Sequence, residues 1–404
     1  MASKILYKIT NFPHASGTFI QPDMVLNWDD VTWQKELYYL KEVKMRYIVI
    51  NSFIVQNQKI KKIYDGSFKN DVVDMCLKNC QKSGFKVFFG IDYNTMWWKF
   101  GPRNPSFLYG RIKKSNFIIK ELYEKYHEKY KDSFYGWYWV YEVDNLNFRS
   151  KDDFKILSTA VNINLDYMED NNMRLPFMMS PFMNSKYSTP QAYADNWKHF
   201  FSLTNFKRGD IFCPQDSVGG GGLKIKEVTD WFSALSKSAK SKSGLLFWAN
   251  VETFNHNDWS SAPIKRFIKQ MRLEYPFVDN IITFTYSHYY SPNNINRRFH
   301  RAYKTYLYQH KIHNRSPHAP KWSKINKTNT ETIINWEVSE DAASYKLFCN
   351  GRKIYSPSVQ RKYGGNKNQT LGQFKCKSSS DNSKYEIQAM DFWGNVSKKV
   401  TIGK

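Results

Sequence analysis

Five carboxylates stand at or just beyond the ends of apolar runs: Asp92 after "KVFFGI", Glu142 and Asp144 around "FYGWYWVYEVDN", Asp216 after "DIFCPQ" and Glu252 after "LLFWANV". Desolvating an ionised carboxylate is costly, so an acid closing so apolar a stretch is either leaving the core or placed there for chemistry. Amides, histidines and aromatic rings accompany them at similar places: Gln21, Tyr93, Trp97, Trp98, Gln215, Trp248, Asn250, His256, Tyr286 and His288. Glycoside hydrolysis needs two carboxyl groups across the scissile bond, one an acid and the other a nucleophile or base. The flat C–H faces of sugars stack on aromatic rings, so acids and aromatics lining one cleft suit a carbohydrate better than a nucleotide. Glu142 and Glu252 are the candidate catalytic pair, and the remaining residues named here are candidate substrate contacts. Asp144 is expected along the rim or capping the next segment. Asp92 and Asp216 are open between binding sugar hydroxyls and pairing with arginines.

Those residues must be delivered by short apolar strands. Eight such runs occur before residue 290: "GTFIQP" (17–22), "RYIVINSF" (46–53), "KVFFGIDY" (86–93), "FYGWYWVYE" (134–142), "LPFMMSPF" (175–182), "DIFCPQD" (210–216), "LLFWANVE" (245–252) and "NIITFTYS" (280–287). The segments between them, such as "SFKNDVVDMCLKNCQKSG" and "SNFIIKELYEKYHEKYKD", carry apolar residues three or four apart, the period of an amphipathic helix. Eight strands alternating with helices predict an α/β chain folded as a closed (β/α)8 barrel, whose reactive groups sit at the C-terminal ends of its strands. An open doubly wound sheet would carry a glycine-rich phosphate loop after its first strand, and "GTFIQPDMVLNW" has none. "VGGGG" after strand six lacks the following Lys-Ser/Thr of a phosphate loop and reads as a flexible connection. The expected organisation is a barrel over 1–312, a linker over 313–320, and an all-β sandwich over 321–404.

Composition limits the alternatives. The 404 residues carry a formal charge of +24, which draws polyanions at long range, yet the lysines are spread along the chain and form no polybasic block. With no nucleic-acid motif, a nucleic-acid-binding protein ranks last. No apolar run reaches the roughly 20 residues of a membrane helix. The five cysteines show no CxxC or metal-ligand spacing with histidine, so neither a metal nor a cofactor is expected. Cys213 reads as core, and Cys349 and Cys376 are open between a disulfide and free thiols. The opening "MASKILYKITNF" lacks the apolar stretch of a secretory leader, which fits a cytoplasmic protein or an exported one with its leader removed.

Motifs add a resemblance. Acids ending strands four and seven match the arrangement of the large clan of retaining (β/α)8 glycoside hydrolases. "GTFIQPDMVLNWDDVTWQKELYYLKEVKMRYIVI", "FYGWYWVYEVDN" and "LLFWANVETFNH" resemble a bacterial family of barrels of unknown function, common in gut Bacteroidetes and grouped with that clan. The likeness covers residues 15 to 300 and implies that Glu142 is the general acid/base and Glu252 the nucleophile. One departure stands out: where the clan places an Asn that binds the sugar 2-hydroxyl, just before the acid/base, this chain has Tyr141. Asn250 and Gln215 are the candidates to replace it. "WEVSEDAASYKLFCNG" and "YEIQAMDFWGNVS" resemble the fibronectin type III module of bacterial secreted enzymes, with Trp336, Tyr345 and Tyr385 at buried aromatic positions. The resulting expectation is an exported, monomeric glycoside hydrolase acting on a polysaccharide or oligosaccharide, with the charge favouring an acidic one. A non-catalytic carbohydrate-binding barrel is the alternative.

Overall fold

The structure is a computed structural model that describes residues 12–52, 55–56, 71–94, 96–321, 323–355, 371–377 and 383–402. The opening segment 1–11, the end of the second predicted strand at 53, the start of the second predicted helix at 67–70 and position 378 lie outside those residues.

Eight parallel strands close into a barrel: β1 (Gly17–Ile20), β2 (Tyr47–Ile50), β3 (Lys86–Gly90), β4 (Phe134–Trp139), β5 (Phe177–Met179), β6 (Ile211–Phe212), β7 (Leu246–Glu252) and β8 (Asn280–Phe284). β1 pairs with β2 through Thr18 and Ile48 and with β8 through Thr18 and Thr283, so the sheet has no edge. Each strand lies within one of the eight apolar runs. They are continuous in hydrophobicity because one face fills the barrel and the other is covered by helices. Inside, Trp248 meets Tyr47 at 5.1 Å and Phe88 at 6.3 Å between ring centroids, and higher up Phe19 meets Tyr138 at 5.2 Å. Gly136 makes room for this filling, since a Cβ there would lie 2.5 Å from the Phe88 ring.

The crossover helices start and stop where side chains can satisfy their free backbone groups. Asp29 caps α1 (Asp30–Glu42) by accepting from Thr32 N at 2.8 Å, and Asp71 caps α2 (Val72–Ser83), which ends at Gly84 in the left-handed conformation (φ 70°). α3 (Pro105–Leu122) begins ten residues earlier than its apolar period suggests, because Asn104 caps it and Pro105 supplies a first residue with no N–H to satisfy. Ser150 and Asp153 form a reciprocal capping box on α4 (Lys151–Asp170). α5 (Pro190–Leu203), α6 (Val228–Ala239), α7 (Ile264–Glu274) and α8 (Arg298–Gln309) are the remaining long helices among the described residues.

Two compact units result, one of Met1–His256 with Lys269–Ser287 and the other of Asn257–Ile268 with His288–Lys404. The first contains the closed barrel. In the second, residues 310–320 have no regular secondary structure and lead into two small antiparallel sheets. One sheet comprises β9 (Ser323–Lys327), β10 (Glu331–Glu337) and β13 (Leu371–Lys377), and the other β11 (Ser344–Cys349), β12 (Arg352–Tyr355), β14 (Tyr385–Met390) and β15 (Val400–Thr401). Alternate residues of β10 and β14 are buried, and Ile334, Trp336, Tyr345, Leu347, Tyr385 and Ile387 share one core. The Trp336 and Tyr345 rings meet edge-on at 5.4 Å, joining the two sheets. "DFWGN" forms a tight turn in which Asp391 accepts from Asn395 N at 2.7 Å and Gly394 takes φ 94°. Cys349 and Cys376 are free thiols on different sheets.

Candidate active site

β4 ends at Trp139, so Glu142 is not the last strand residue but sits on the chain leaving the barrel wall. That segment is fixed on both sides. Trp97 Nε1 donates to the Glu142 carbonyl at 2.8 Å, and Phe182 N donates to the Val143 carbonyl at 2.8 Å. Asp144 then closes a turn by accepting from Leu146 N at 2.8 Å and Asn147 N at 2.6 Å, so its carboxylate is used as a cap. Glu142 itself remains half-buried. Burial, reinforced by the Asp144 carboxylate and opposed by a hydrogen bond from Gln215, pushes its carboxyl up from 4.5 to about 7.

Glu252 is the final residue of β7 and is 1% exposed. Its Oε2 accepts a hydrogen bond from Gly220 N at 2.6 Å, and its own N–H donates to Asp216 Oδ1 at 3.3 Å. The segment expected to be a flexible connection is therefore part of the site's wall, and its glycines have a steric reason. A Cβ at Gly219 would lie 2.9 Å from Glu252 Cβ, at Gly220 2.8 Å from the Phe182 ring, at Gly221 2.4 Å from the His256 ring, and at Gly222 2.2 Å from the Met183 carbonyl oxygen. Only glycine lets the backbone approach closely enough for its N–H to reach the carboxylate.

Gln215 and Asp216 connect the two acids. Gln215, whose side chain acts to lower the Glu142 carboxyl, donates to the Ser180 carbonyl at 3.1 Å and bridges to Asn250 along the backbone. Asp216, next in the chain, holds the N–H groups of Glu252 and Val218 and accepts from the Gln270 amide. These donors come from the protein's own backbone and side chains. Asp92 pairs with an arginine, the buried Arg111 of α3. Asn250 Nδ2 donates to Ser180 Oγ at 3.0 Å, while its buried Oδ1 meets no donor among the described residues.

The other candidates separate into wall, rim and core. Tyr93 is half-buried, and its hydroxyl accepts from Trp98 Nε1 at 2.7 Å, leaving the Trp98 ring 49% exposed at the mouth. Trp97 is buried and acts through its bond to the Glu142 carbonyl. Gln21 Oε1 accepts from Asn51 Nδ2 at 3.3 Å beyond the end of β1. His256 is exposed and its Nδ1 lies 3.0 Å from the Gly219 carbonyl, so Nδ1 carries the proton in that bond. Two aromatics expected at the mouth are core instead: Trp248 fills the barrel against Tyr47 and Phe88, and Tyr286 is fully buried. The reason is strand phase, since Trp248 is opposite Asn280 at the start of β8, far from the C-terminal ends. His288 lies on the short helix Tyr286–Tyr289 and belongs to the second unit. Tyr141 packs its ring against Trp97 at 4.8 Å and Tyr93 at 5.8 Å, within an aromatic cluster.

Residues 15–296 match the model of a family described as a domain of unknown function, DUF4434. The chain belongs to this family. Comparison with curated proteins finds no match. Among solved structures, the DUF4434 chain is similar to a "putative alpha-L-fucosidase" from Bacteroides thetaiotaomicron VPI-5482, with a TM-score of 0.58 and 21% identity over 74% of this chain and 94% of that one. A GH10 endoxylanase from a sugarcane soil metagenome gives a TM-score of 0.41 and 10% identity over 67% of this chain and 84% of that one. The endo-1,4-β-mannanase of Rhizomucor miehei gives 0.40 and 14%, over 59% and 76%. The first of these likenesses shows the shared barrel fold.

Four contributors escape a reading of strand ends alone: the Gly220 N–H, Ser180, and Gln270 and Glu274 on α7. The last two left a trace. In "IKRFIKQMRLE" they fall three and seven residues after Phe267, on the stripe that carries the buried Phe267, Ile268 and Met271. Polar residues on an apolar helical face mark a buried network.

Proposed function

We propose that this DUF4434 protein hydrolyses glycosidic bonds with retention of configuration, with Glu142 as general acid/base and Glu252 as nucleophile. The observation that carries the reading is the opposite treatment of two carboxyls at the same end of the barrel. Glu142 is held near 7 by burial and Asp144, which favours a neutral acid, while Glu252 accepts a 2.6 Å backbone N–H bond, which favours an anion. An acid and a carboxylate set apart by their environments are what glycosidic cleavage requires. In the first step a Glu252 oxygen bonds to the anomeric carbon as the bond to the leaving oxygen breaks, and Glu142 gives that oxygen its proton. In the second, Glu142 takes a proton from water, whose oxygen displaces Glu252 from the anomeric carbon.

Gln215 and Asn250 supply the hydroxyl contacts that Tyr141, committed to its aromatic cluster, does not. Trp98 and Tyr93 provide a stacking face. The charge of +24 supports an anionic glycan bearing uronate or sulfate groups. The paired sheets after residue 320 support a fibronectin type III-like module, and with it an exported, monomeric enzyme; no helix among the described residues is long and apolar enough to cross a membrane.

The test is hydrolysis of a panel of neutral and acidic glycans and aryl glycosides, α-L-fucosides included, by wild type, Glu142→Gln and Glu252→Gln. Activity lost in both folded variants, with the product's anomeric configuration retained, is the expected result. Tyr141 in place of the clan's Asn favours a second reading, a carbohydrate receptor. Tight glycan binding without products, unchanged by either substitution, would establish it.

A further inference from the structure

Beneath Glu252 lies a second carboxyl system to which the proposed reaction assigns no part. Glu274, the last residue of α7, is 0% exposed, and neither of its carboxyl oxygens meets a donor among the described residues. Gln270, one turn earlier on the same helix, donates to Asp216 Oδ2, which sets Glu274 beside the buried Asp216 carboxyl; Glu252 and the Cys213 thiol also act on it electrostatically. Two carboxylates cannot share such a site while both are charged, so one of them holds a proton. The donors decide which. Asp216 Oδ1 accepts from Val218 N at 3.1 Å and Glu252 N at 3.3 Å, and its Oδ2 accepts from the Gln270 amide, so the negative charge is stabilised there. Glu274 has none of these bonds and is the member that stays neutral. Burial, and next the Asp216 charge, raise its carboxyl well above the ordinary range.

We propose that Glu274 is a positioning residue: as a neutral acid it hydrogen-bonds the Asp216 carboxylate, and the Glu274–Asp216–Gln270 unit fixes the end of β7 and the glycine loop around Glu252. The connection is short on every side. Asp216 holds the Glu252 N–H and, through Val218 N, the start of the loop whose Gly220 N–H bonds the Glu252 carboxylate. Gln270, one helical turn before Glu274, adds a bond to the Glu252 carbonyl at 3.1 Å. Without the Glu274 proton, the helix would present a second anion, or a gap, to Asp216 and loosen this clamp. The role rests on the glycosidase reading only in so far as Glu252 reacts; the clamp itself is independent of it.

The test compares wild type, Glu274→Gln, which keeps a donor toward Asp216, and Glu274→Leu, which does not. In infrared difference spectra at pH 7, a neutral-carboxyl band is present in wild type and lost in Glu274→Gln; its absence from the difference overturns the assignment of the proton. In nitrogen–proton NMR spectra, the Gly220 amide signal, identified by its response to Glu252→Gln, moves in Glu274→Leu and is restored in Glu274→Gln. An unmoved signal in Glu274→Leu, or one displaced equally in both variants, overturns the clamp. On a glycoside that wild type hydrolyses, Glu274→Leu lowers kcat on the order of tenfold to a hundredfold with KM little changed, and Glu274→Gln recovers most of that loss. If Glu274→Leu does not fold, the infrared comparison and the kcat of Glu274→Gln still decide, because a Gln variant with as little kcat as Glu252→Gln refutes the role of the donor. If wild type cleaves no glycoside, the glycosidase reading falls, and the two spectroscopic results still judge the clamp.

Discussion

Replacing Glu142 by Gln removes one titration from the barrel, and the consequence for stability has a definite sign. The folded chain holds the Glu142 proton to about pH 7, whereas the unfolded chain releases it near 4.5. The folded state therefore binds the proton more tightly, and stability is lost as pH rises from 4.5 through about 7. At about 1.36 kcal/mol per pH unit, that interval corresponds to about 3 kcal/mol for this half-buried group. Glu142→Gln keeps the shape and cannot ionise, so its stability relative to wild type should increase by about 3 kcal/mol between pH 4.5 and pH 8. Urea unfolding of both proteins, followed by tryptophan fluorescence at several pH values, gives this difference of differences, in which the groups that do not interact with Glu142 cancel. Parallel pH dependences would show that Glu142 ionises as in an unfolded chain, and the assignment of the acid would fail with them.

Four other outcomes follow from the geometry. Hydrolysis should fall above pH about 7 as Glu142 loses its proton, and kcat/KM for substrates whose leaving groups need no protonation should lack this basic limb. Gly222→Ala, which would put a Cβ 2.2 Å from the Met183 carbonyl oxygen, should destabilise the barrel by about 1–3 kcal/mol in denaturant unfolding. Trp98→Ala should leave the melting temperature unchanged and raise KM severalfold, because the ring is exposed at the mouth; an unchanged KM would remove it from the substrate-binding surface. Trp336→Ala should cost about 3–5 kcal/mol in the unfolding of the C-terminal sheets, since the ring is buried and joins them.

Much of this molecule is legible in its residues. Runs of apolar residues too short for helices, alternating with segments of helical period, leave a closed parallel barrel as the arrangement that buries both faces of every strand, and Gly84 marks a helix end through backbone freedom alone. Candidate acids were legible for the same reason: a carboxylate closing an apolar run is costly unless something accounts for it. What the linear order left open depends on which way side chains face and on groups distant in sequence. Whether Trp248 lines the mouth or fills the barrel follows from its register against Asn280, and whether Asp92 meets a sugar or Arg111 follows from the packing of α3. The glycines after β6 look like a loose connection until Phe182, Met183, Glu252 and His256 close around them, and Glu274 becomes chemical only where α7 sets it against Asp216. The apolar runs, the helical periods between them and the acids that needed explaining could be read from the linear order, because burial patterns act over a few residues. The surroundings of each acid came from the fold alone, since desolvation, neighbouring charges and donors are brought together from far along the chain.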